Sequence, residues 1–515
     1  MSEKKPRPTR RFALVGLLAG ALFFAVGWLL AVLLDPPAAP HAALGATVVD
    51  LTPPWLKDFA VETFGTNDKV ALFVVMGIVS SGLAALAGLL AGRRRGLGVG
   101  AVLALAALCA LAAAGRPDTG TYAIVPAVVA AAAGIGALEL LLRRARPSDA
   151  PAGSGTDRRR FVGAAVGIGA GAAIAAGVGS IVARTRTSVE SARADLALPE
   201  PTETASSAAD ELDLTGTQVE LDGMPEYVTP NDNFYRIDTA LSVPQIDPSE
   251  WQLRVHGLVD QEITLSYDEL ADAALTEAMV TLTCVSNPIG GSLAGNATWL
   301  GLPIRDILAR AGVQDSADMV LSRSADGWTA GTPLEALTDD RDSLLAIGMN
   351  GEPLPVEHGF PVRMVVPGLY GYVSATKWVT ELKVTRFADD EAYWTPRGWS
   401  ERGPVKTASR VDVPQSGATV AAGEVRLGGT AWAQHRGITR VQVQIDDGQW
   451  QDAELASTVS TDTWRQWSFT WADASPGRHA VRCRAWDDED VQTAETAAPA
   501  PNGASGYHVI SLEVE

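Results

Sequence analysis

The pattern of apolar and polar positions changes character twice along the chain. Residues 12–34, 70–92, 96–115 and 121–142 form uncharged or nearly uncharged apolar runs. Each is long enough for the roughly 20 residues that a bilayer-spanning helix needs. A fifth run, 161–183, is rich in Ala and Gly and only weakly hydrophobic. Its Gly163, Gly167 and Gly171 would allow close helix contact, or are simply low-complexity packing. Residues 184–218 are rich in Ala, Ser, Thr, Glu and Pro with no apolar period, which predicts a flexible tether. From about Val219, short strands with turn punctuation mix with a few helices, with helix starts at Tyr267 and Pro303. The absence of a regular βαβ alternation predicts an α+β domain over 219–394. After about 395 a strict two-residue alternation takes over, at 425–432, 439–445, 465–471 and 479–486. Turns such as Asp446-Asp447-Gly448 and Ser475-Pro476-Gly477 join these segments, so 395–515 is predicted to be an immunoglobulin-like β-sandwich. The chain is thus multidomain, with an α-helical transmembrane region over 1–183.

Loop charge orients the helices. Lys4, Lys5, Arg7, Arg10 and Arg11 precede the first run, and Arg93, Arg94 and Arg95 separate the second and third. Arg143, Arg144, Arg146, Arg158, Arg159 and Arg160 separate the fourth and fifth. The alternate loops carry only Lys57, Lys69 and Arg116. The basic loops stay in the cytoplasm. The N-terminus is therefore predicted inside and everything after residue 183 outside, against the weaker opposing charge of Arg184, Arg186 and Arg193. The run Arg158-Arg159-Arg160-Phe161-Val162 fits either one more basic cytoplasmic loop or an internal twin-arginine export signal. Glu139 is an acid inside a span and by default a functional candidate, although it sits about one turn from the cytoplasmic end. None of the six histidines (41, 256, 358, 435, 479, 508) falls within a span, so a bis-His haem in these helices is excluded for this chain. No C-x-x-C-H haem motif and no flavin motif is present.

Charge separates the halves further. Residues 1–183 carry 17 basic and 10 acidic side chains, a net of +7, and the remainder carries 24 and 50, a net of −26. So acidic a segment repels nucleic acid and anionic lipid, and suits a cationic protein partner. Of three cysteines, Cys109 lies in an apolar run and Cys483 in a strand. Cys284 ends a strand, where Thr281-Leu282-Thr283-Cys284 opens into Val285-Ser286-Asn287-Pro288-Ile289-Gly290-Gly291. It reads either as a small buried hydrophobe or as a thiolate ligand to a soft metal centre.

An ordered set of segments resolves that choice. It comprises 229–236 (Thr-Pro-Asn-Asp-Asn-Phe-Tyr-Arg), 283–287 around Cys284, and Trp299-Leu300-Gly301-Leu302-Pro303. It continues with 349–355 (Met-Asn-Gly-Glu-Pro-Leu-Pro), 358–363 (His-Gly-Phe-Pro-Val-Arg), Val366-Pro367-Gly368, Gly371 and Lys377-Trp378. Together these resemble the sulfite oxidase family of molybdopterin enzymes over about residues 225–515; the membrane half is outside the resemblance. The likeness implies a molybdenum-molybdopterin cofactor with Cys284 on the metal. His358, Arg363 and Lys377 match positions that hold the pterin, with Tyr235, Arg236, Asp238, Ser324 and Ser374 as weaker candidates. Arg can grip phosphate bidentately and Lys adds a point charge. Arg236 and Arg436 match substrate-pocket arginines, the latter lent by the sandwich. The segment after Cys284 lacks the arginine of animal sulfite oxidases, and Trp328 stands near the place where a tyrosine is sought.

The implied activity is extracytoplasmic oxidation of sulfite or a similar small oxyanion. Electrons would pass to a separate acceptor such as a cytochrome. A homodimer through the C-terminal domain is a further implied partner. The alternatives are a sulfoxide or other S/N-oxide reductase of the same fold, and a non-catalytic membrane-anchored binding module.

Overall fold

The computed structural model describes residues 9–53, 56, 68–116, 119–145, 155–186, 189–204, 212–240 and 243–515. The expected loop charges Lys4, Lys5, Arg7, Lys57 and Arg146 lie outside the described residues. The chain divides into two compact units. One is formed by residues 1–188 and 240–243, and the other by 189–239 and 244–515.

The first unit is helical. Among the described residues, five helices are long and apolar enough to cross a membrane, containing Arg10–Leu34, Val70–Arg93, Arg95–Ala114, Val125–Ala145 and Arg159–Ala183. Phe12, Val15 and Ala19 of the first pack with Ala91, Ala137, Leu138, Leu141, Phe161 and Ala164 of the others. Glu139 forms an ion pair with Arg95, which satisfies its charge locally. Close glycine contacts lie elsewhere than at the three glycines that would allow one. A Cβ added at Gly163, Gly167 or Gly171 would meet nothing within 4 Å, whereas one at Gly16 would lie 1.9 Å from the Ala84 carbonyl oxygen and one at Gly88 2.1 Å from that of Phe12. Small residues permit close approach but do not cause it; packing of the flanking side chains decides which glycines are used.

The second unit holds two layered parts. In the α+β part, the first sheet runs in the order Glu203–Thr204, Thr276–Thr283, Ala294–Pro303, Leu344–Met349, Arg363–Val365, with Glu352–Pro353 beside Leu344–Met349. The second runs Ile263–Ser266, Gln252–Gly257, Val379–Thr385, Met319–Ser324, Thr329–Pro333. Leu253, Val255, Leu300, Ile304, Leu345, Ile347, Val379 and Leu382 share its core. Helix Tyr267–Ala271 starts on a capping box of Ser266 and Glu269, as its sequence invites. The sandwich pairs a four-stranded sheet (Ala408–Val413, Gly423–Trp432, Arg465–Ala474, Glu454–Leu455) with a five-stranded one containing Arg440–Ile445, Gly477–Trp486 and His508–Val514. Strict alternation turns Val425, Leu427, Val441, Val443, Val481 and Cys483 inward. Cys483 is accordingly a core residue, its thiol pushed up to about 12 by burial.

The segment read as a tether is partly laid down on this unit. Arg193 Nε donates to the carbonyls of Pro353 and Leu354 at 3.1 and 2.9 Å. Strand Glu203–Thr204 pairs in parallel with the start of Thr276–Thr283. The Leu196 and Leu198 side chains pack on the core. A sheet edge offers unpaired backbone groups, and a polar sequence without apolar period can still satisfy them.

Candidate active site

Cys284 follows the last residue of strand Thr276–Thr283. Its N–H donates to the Leu293 carbonyl at 2.9 Å and its carbonyl accepts from Asn287 at 3.1 Å, closing the turn. The Asn287 side chain adds an acceptor to Leu293 N–H at 2.9 Å. The thiol is 8% exposed, and burial raises its pKa against the pull of Ser286 donors. An isolated buried thiol would stay protonated and inert; a soft cation beside it would convert it to a thiolate ligand.

Three segments bring polar groups into its neighbourhood. The Phe234 ring stacks on Tyr235 at 5.2 Å and meets Trp299 and His358 edge-on at 5.8 and 5.6 Å, which fixes the 234–238 segment. The Tyr235 hydroxyl is driven above its ordinary range by burial, further by Cys284, and is drawn back by Arg363. Cys284, Tyr235 and Arg363 are therefore one electrostatic neighbourhood. Arg363 is 5% exposed; it donates to the His358 carbonyl at 2.9 Å and lies 4.9 Å over the Trp299 ring. Burial lowers its pKa to about 10. Lys377 Nζ donates to Asp238 at 2.7 Å and to the Glu357 carbonyl at 3.0 Å, and burial lowers it to about 8. His358 lies 3.2 Å from the Asn231 carbonyl through Nε2. Burial, then the charges of Arg363 and Lys377, lower it to about 4, so it is neutral at pH 7. Ser324 Oγ is buried with no hydrogen-bond partner among the described residues, and Ser374 Oγ donates to the Tyr370 carbonyl at 3.0 Å.

The two arginines expected in a substrate pocket behave differently. Arg236 pairs with Asp238 at 3.0 Å, and its side chain is 41% exposed. Arg436 pairs with Asp487 at 3.0 Å and donates to Val405 O and Thr407 Oγ1 at 3.0 and 3.1 Å. Tyr370, which sequence reasoning passed over, links the two ends. Its hydroxyl is raised by burial and by Cys284 and lowered by Lys406 N–H and by Arg436. Trp328, where a tyrosine is sought, occupies a tight turn and accepts from Ser324 N–H.

These residues fit a large anionic cofactor. Two cations are buried here: Lys377 is held by Asp238 and Arg363 donates to carbonyl oxygens, while the buried Ser324 hydroxyl has no hydrogen-bond partner among the described residues. Buried charge of one sign is costly unless a ligand completes it. No group of three or more His, Cys, Asp or Glu converges among the described residues. A metal at Cys284 would thus take one protein thiolate and depend on the cofactor for its other ligands.

Comparison with known proteins agrees. Residues 240–394 match the oxidoreductase molybdopterin binding domain, and 409–483 match a bacterial Ig domain. Fold and site together define a molybdopterin-binding oxidoreductase joined to an immunoglobulin-like domain. Mouse mitochondrial sulfite oxidase is 32% identical over 340 residues, covering 56% of this chain and 62% of that protein. The uncharacterized oxidoreductase YuiH of Bacillus subtilis is 37% identical over 157 residues, covering 30% of this chain and 76% of that protein. The chain belongs to the sulfite oxidase family of molybdopterin-dependent oxidoreductases. It spans about three-fifths of the length of the mammalian relatives it matches. The crystal structure of the sulfane dehydrogenase SoxCD from Paracoccus pantotrophus aligns at 22% identity and a TM-score of 0.48, covering 57% of this chain and 84% of that one.

Proposed function

We propose that this protein is a membrane-anchored, extracytoplasmic molybdenum-cofactor enzyme. It oxidises sulfite or a similar small oxyanion and passes electrons to a separate acceptor such as a cytochrome. The observation that carries this reading is a buried Cys284 at the end of its strand together with two buried cations, Arg363 with carbonyl acceptors and Lys377 held by Asp238. When bound, the cofactor supplies oxo transfer and two-electron redox chemistry. Cys284 would hold the metal. Arg363 and Lys377 would hold the pterin phosphate, with Ser324 and neutral His358 meeting its polar edges. Arg236 and Arg436 would orient the oxyanion, each in competition with its own carboxylate. That competition is also the one observation favouring a second reading, a reductase of neutral S-oxides. A metal-free binding module is set aside by the family membership.

The test is molybdenum analysis of the purified protein with two anaerobic assays. One supplies sulfite with an oxidised dye, the other a sulfoxide with a reduced dye. Sulfite turnover by molybdenum-loaded protein supports the proposal; turnover of the sulfoxide alone replaces it with the second reading. The orientation is tested by reporter fusions after Gly115 and after Arg193, both expected outside. The export signal is tested by changing Arg159 and Arg160 to Lys, which should retain the catalytic part in the cytoplasm. Dimerisation through the sandwich is read from the mass of the detergent-solubilised protein.

A further inference from the structure

The turn that presents Cys284 is gripped on both flanks by the sandwich. On the near flank, the Gln434 amide donates to Thr281 O at 3.0 Å and to Thr283 Oγ1 at 2.8 Å. Trp464 N–H donates to Thr281 Oγ1 at 2.7 Å, and Thr281 N–H donates to Asp462 O at 3.0 Å. On the far flank, Arg410 donates to the Gly291 carbonyl at 2.8 Å while its Nε holds Asp412 at 2.6 Å. The His508 ring sits so close to Gly290 that a Cβ there would lie 2.2 Å from its Nε2. Gln434 is 1% exposed and Arg410 7%.

We infer that Gln434 and Arg410 are positioning residues that set the reach and angle of the Cys284 sulfur, so that the sandwich acts on the metal ligand itself. The inference rests on the proposed role of Cys284. Its physical basis is that a two-point brace removes backbone freedom from the residues between the points. Thr283 immediately precedes Cys284, and Gly291 closes the turn that follows it. Slack at Thr283 is passed to the thiol through only a few bonds, and slack at Gly291 through the turn that the Cys284, Asn287 and Leu293 hydrogen bonds close. Gln434 is suited to this: both of its described bonds are donated to the cysteine strand, while its Oε1 is buried without a partner among the described residues. An orphaned buried acceptor is a cost, and core packing alone would be served better by Leu or Met at this position. Gln434 also neighbours Arg436, which pairs with Asp487, so one short segment touches both the cysteine strand and the proposed oxyanion arginine.

The test uses Gln434→Leu and Arg410→Lys in the full chain. The first removes both donors and the orphan; the second keeps a cation for Asp412 but loses the fork that spans to Gly291. Molybdenum content, the Mo(V) paramagnetic resonance spectrum, the melting temperature and sulfite kinetics are measured. The alkylation rate of Cys284 is followed in protein produced without molybdenum. The expected result is an altered Mo(V) spectrum in each variant. A roughly three- to tenfold fall in kcat at similar KM should accompany it, with faster alkylation in the metal-free protein. A purely structural role would lower the melting temperature and leave spectrum and alkylation unchanged, and that result overturns the inference. If a variant binds no molybdenum, the alkylation rate decides for it; if Gln434→Leu does not accumulate, Arg410→Lys decides. Absence of molybdenum from the wild-type protein would instead sink the proposed function, while the alkylation comparison still reads whether the brace holds the thiol.

Discussion

The two ends of the site use arginine in opposite ways. Arg363 is 5% exposed, has carbonyl acceptors rather than a carboxylate, and stacks on Trp299. Arg236 has a side chain 41% exposed and a carboxylate at 3.0 Å, and Arg436 is likewise paired with Asp487. On the proposed reading, the cofactor end keeps the positive charge of Arg363 under cover, at a cost that a bound anion would offset. On the same reading, each substrate arginine already has a carboxylate, Arg236 sharing Asp238 with Lys377, as would suit a ligand that must come and go. Family membership and local sequence look the same for both arginines; burial and the nearest acid separate them.

The largest effect should come from the atom between the two ends. Cys284→Ser exchanges a soft thiol for a hard, weakly acidic hydroxyl. Sulfite turnover is expected to fall to background with an altered Mo(V) signal. Full activity in this variant would reduce Cys284 to packing.

The comparison is next broken at its buried end. Arg363→Met removes a buried charged hydrogen bond, which is worth on the order of 1.5–3 kcal/mol, or roughly ten- to a hundredfold in cofactor affinity. Molybdenum content after dialysis should collapse in Arg363→Met and stay at the wild-type level in Arg236→Gln. Equal retention by both would erase the distinction between the two ends.

How much of this was legible in advance depends on the range of the interactions. The sandwich strands were visible because a period of two is local, and the five apolar runs because length alone marks them. Cys284, His358, Arg363 and Lys377 were reached through ordered motifs. Hidden were the contacts between distant segments. Arg410 meets Gly291 across 119 positions and Gln434 meets Thr281 across 153. Arg410 stands in no motif, Gln434 only flanks the segment of Arg436, and a buried Gln or Arg looks like a surface residue in a string. Tyr370 was passed over because tyrosine was sought at Trp328. The contacts made by part of the expected tether were hidden for a related reason: its partners, Pro353, Leu354 and Leu275, lie far along the chain.

Acid sharpens the comparison through His358. Its folded pKa of about 4 lies below the ordinary 6.5, because burial and two cations oppose its charge. Its contribution to stability is therefore full above pH 6.5 and is lost as pH falls through about 4. That shift corresponds to at most about 3 kcal/mol. Denaturant melts of metal-free protein at pH 7 and pH 4 should show a smaller acid loss in His358→Gln than in wild type. An unchanged acid loss would mean that another group governs this window.

The smallest effect should lie at the paired, exposed end. An arginine that already holds a carboxylate gives an incoming oxyanion only the surplus of its attraction, and solvent screens Arg236 further. Arg236→Gln also frees Asp238, which Lys377 continues to hold at 2.7 Å, so no carboxylate is stranded. Arg436→Gln is harsher, because Asp487 is only 4% exposed and loses its cation. Both variants should keep molybdenum and lose about three- to tenfold in kcat/KM for sulfite, Arg436→Gln the more. The loss should shrink as salt is raised for Arg236 and less so for the half-buried Arg436. Sulfite kinetics at low and high ionic strength on metal-loaded protein read both quantities. If neither variant changes kcat/KM at any salt concentration, the paired arginines serve only their own carboxylates. The neutral-substrate reading then takes the place of the oxyanion.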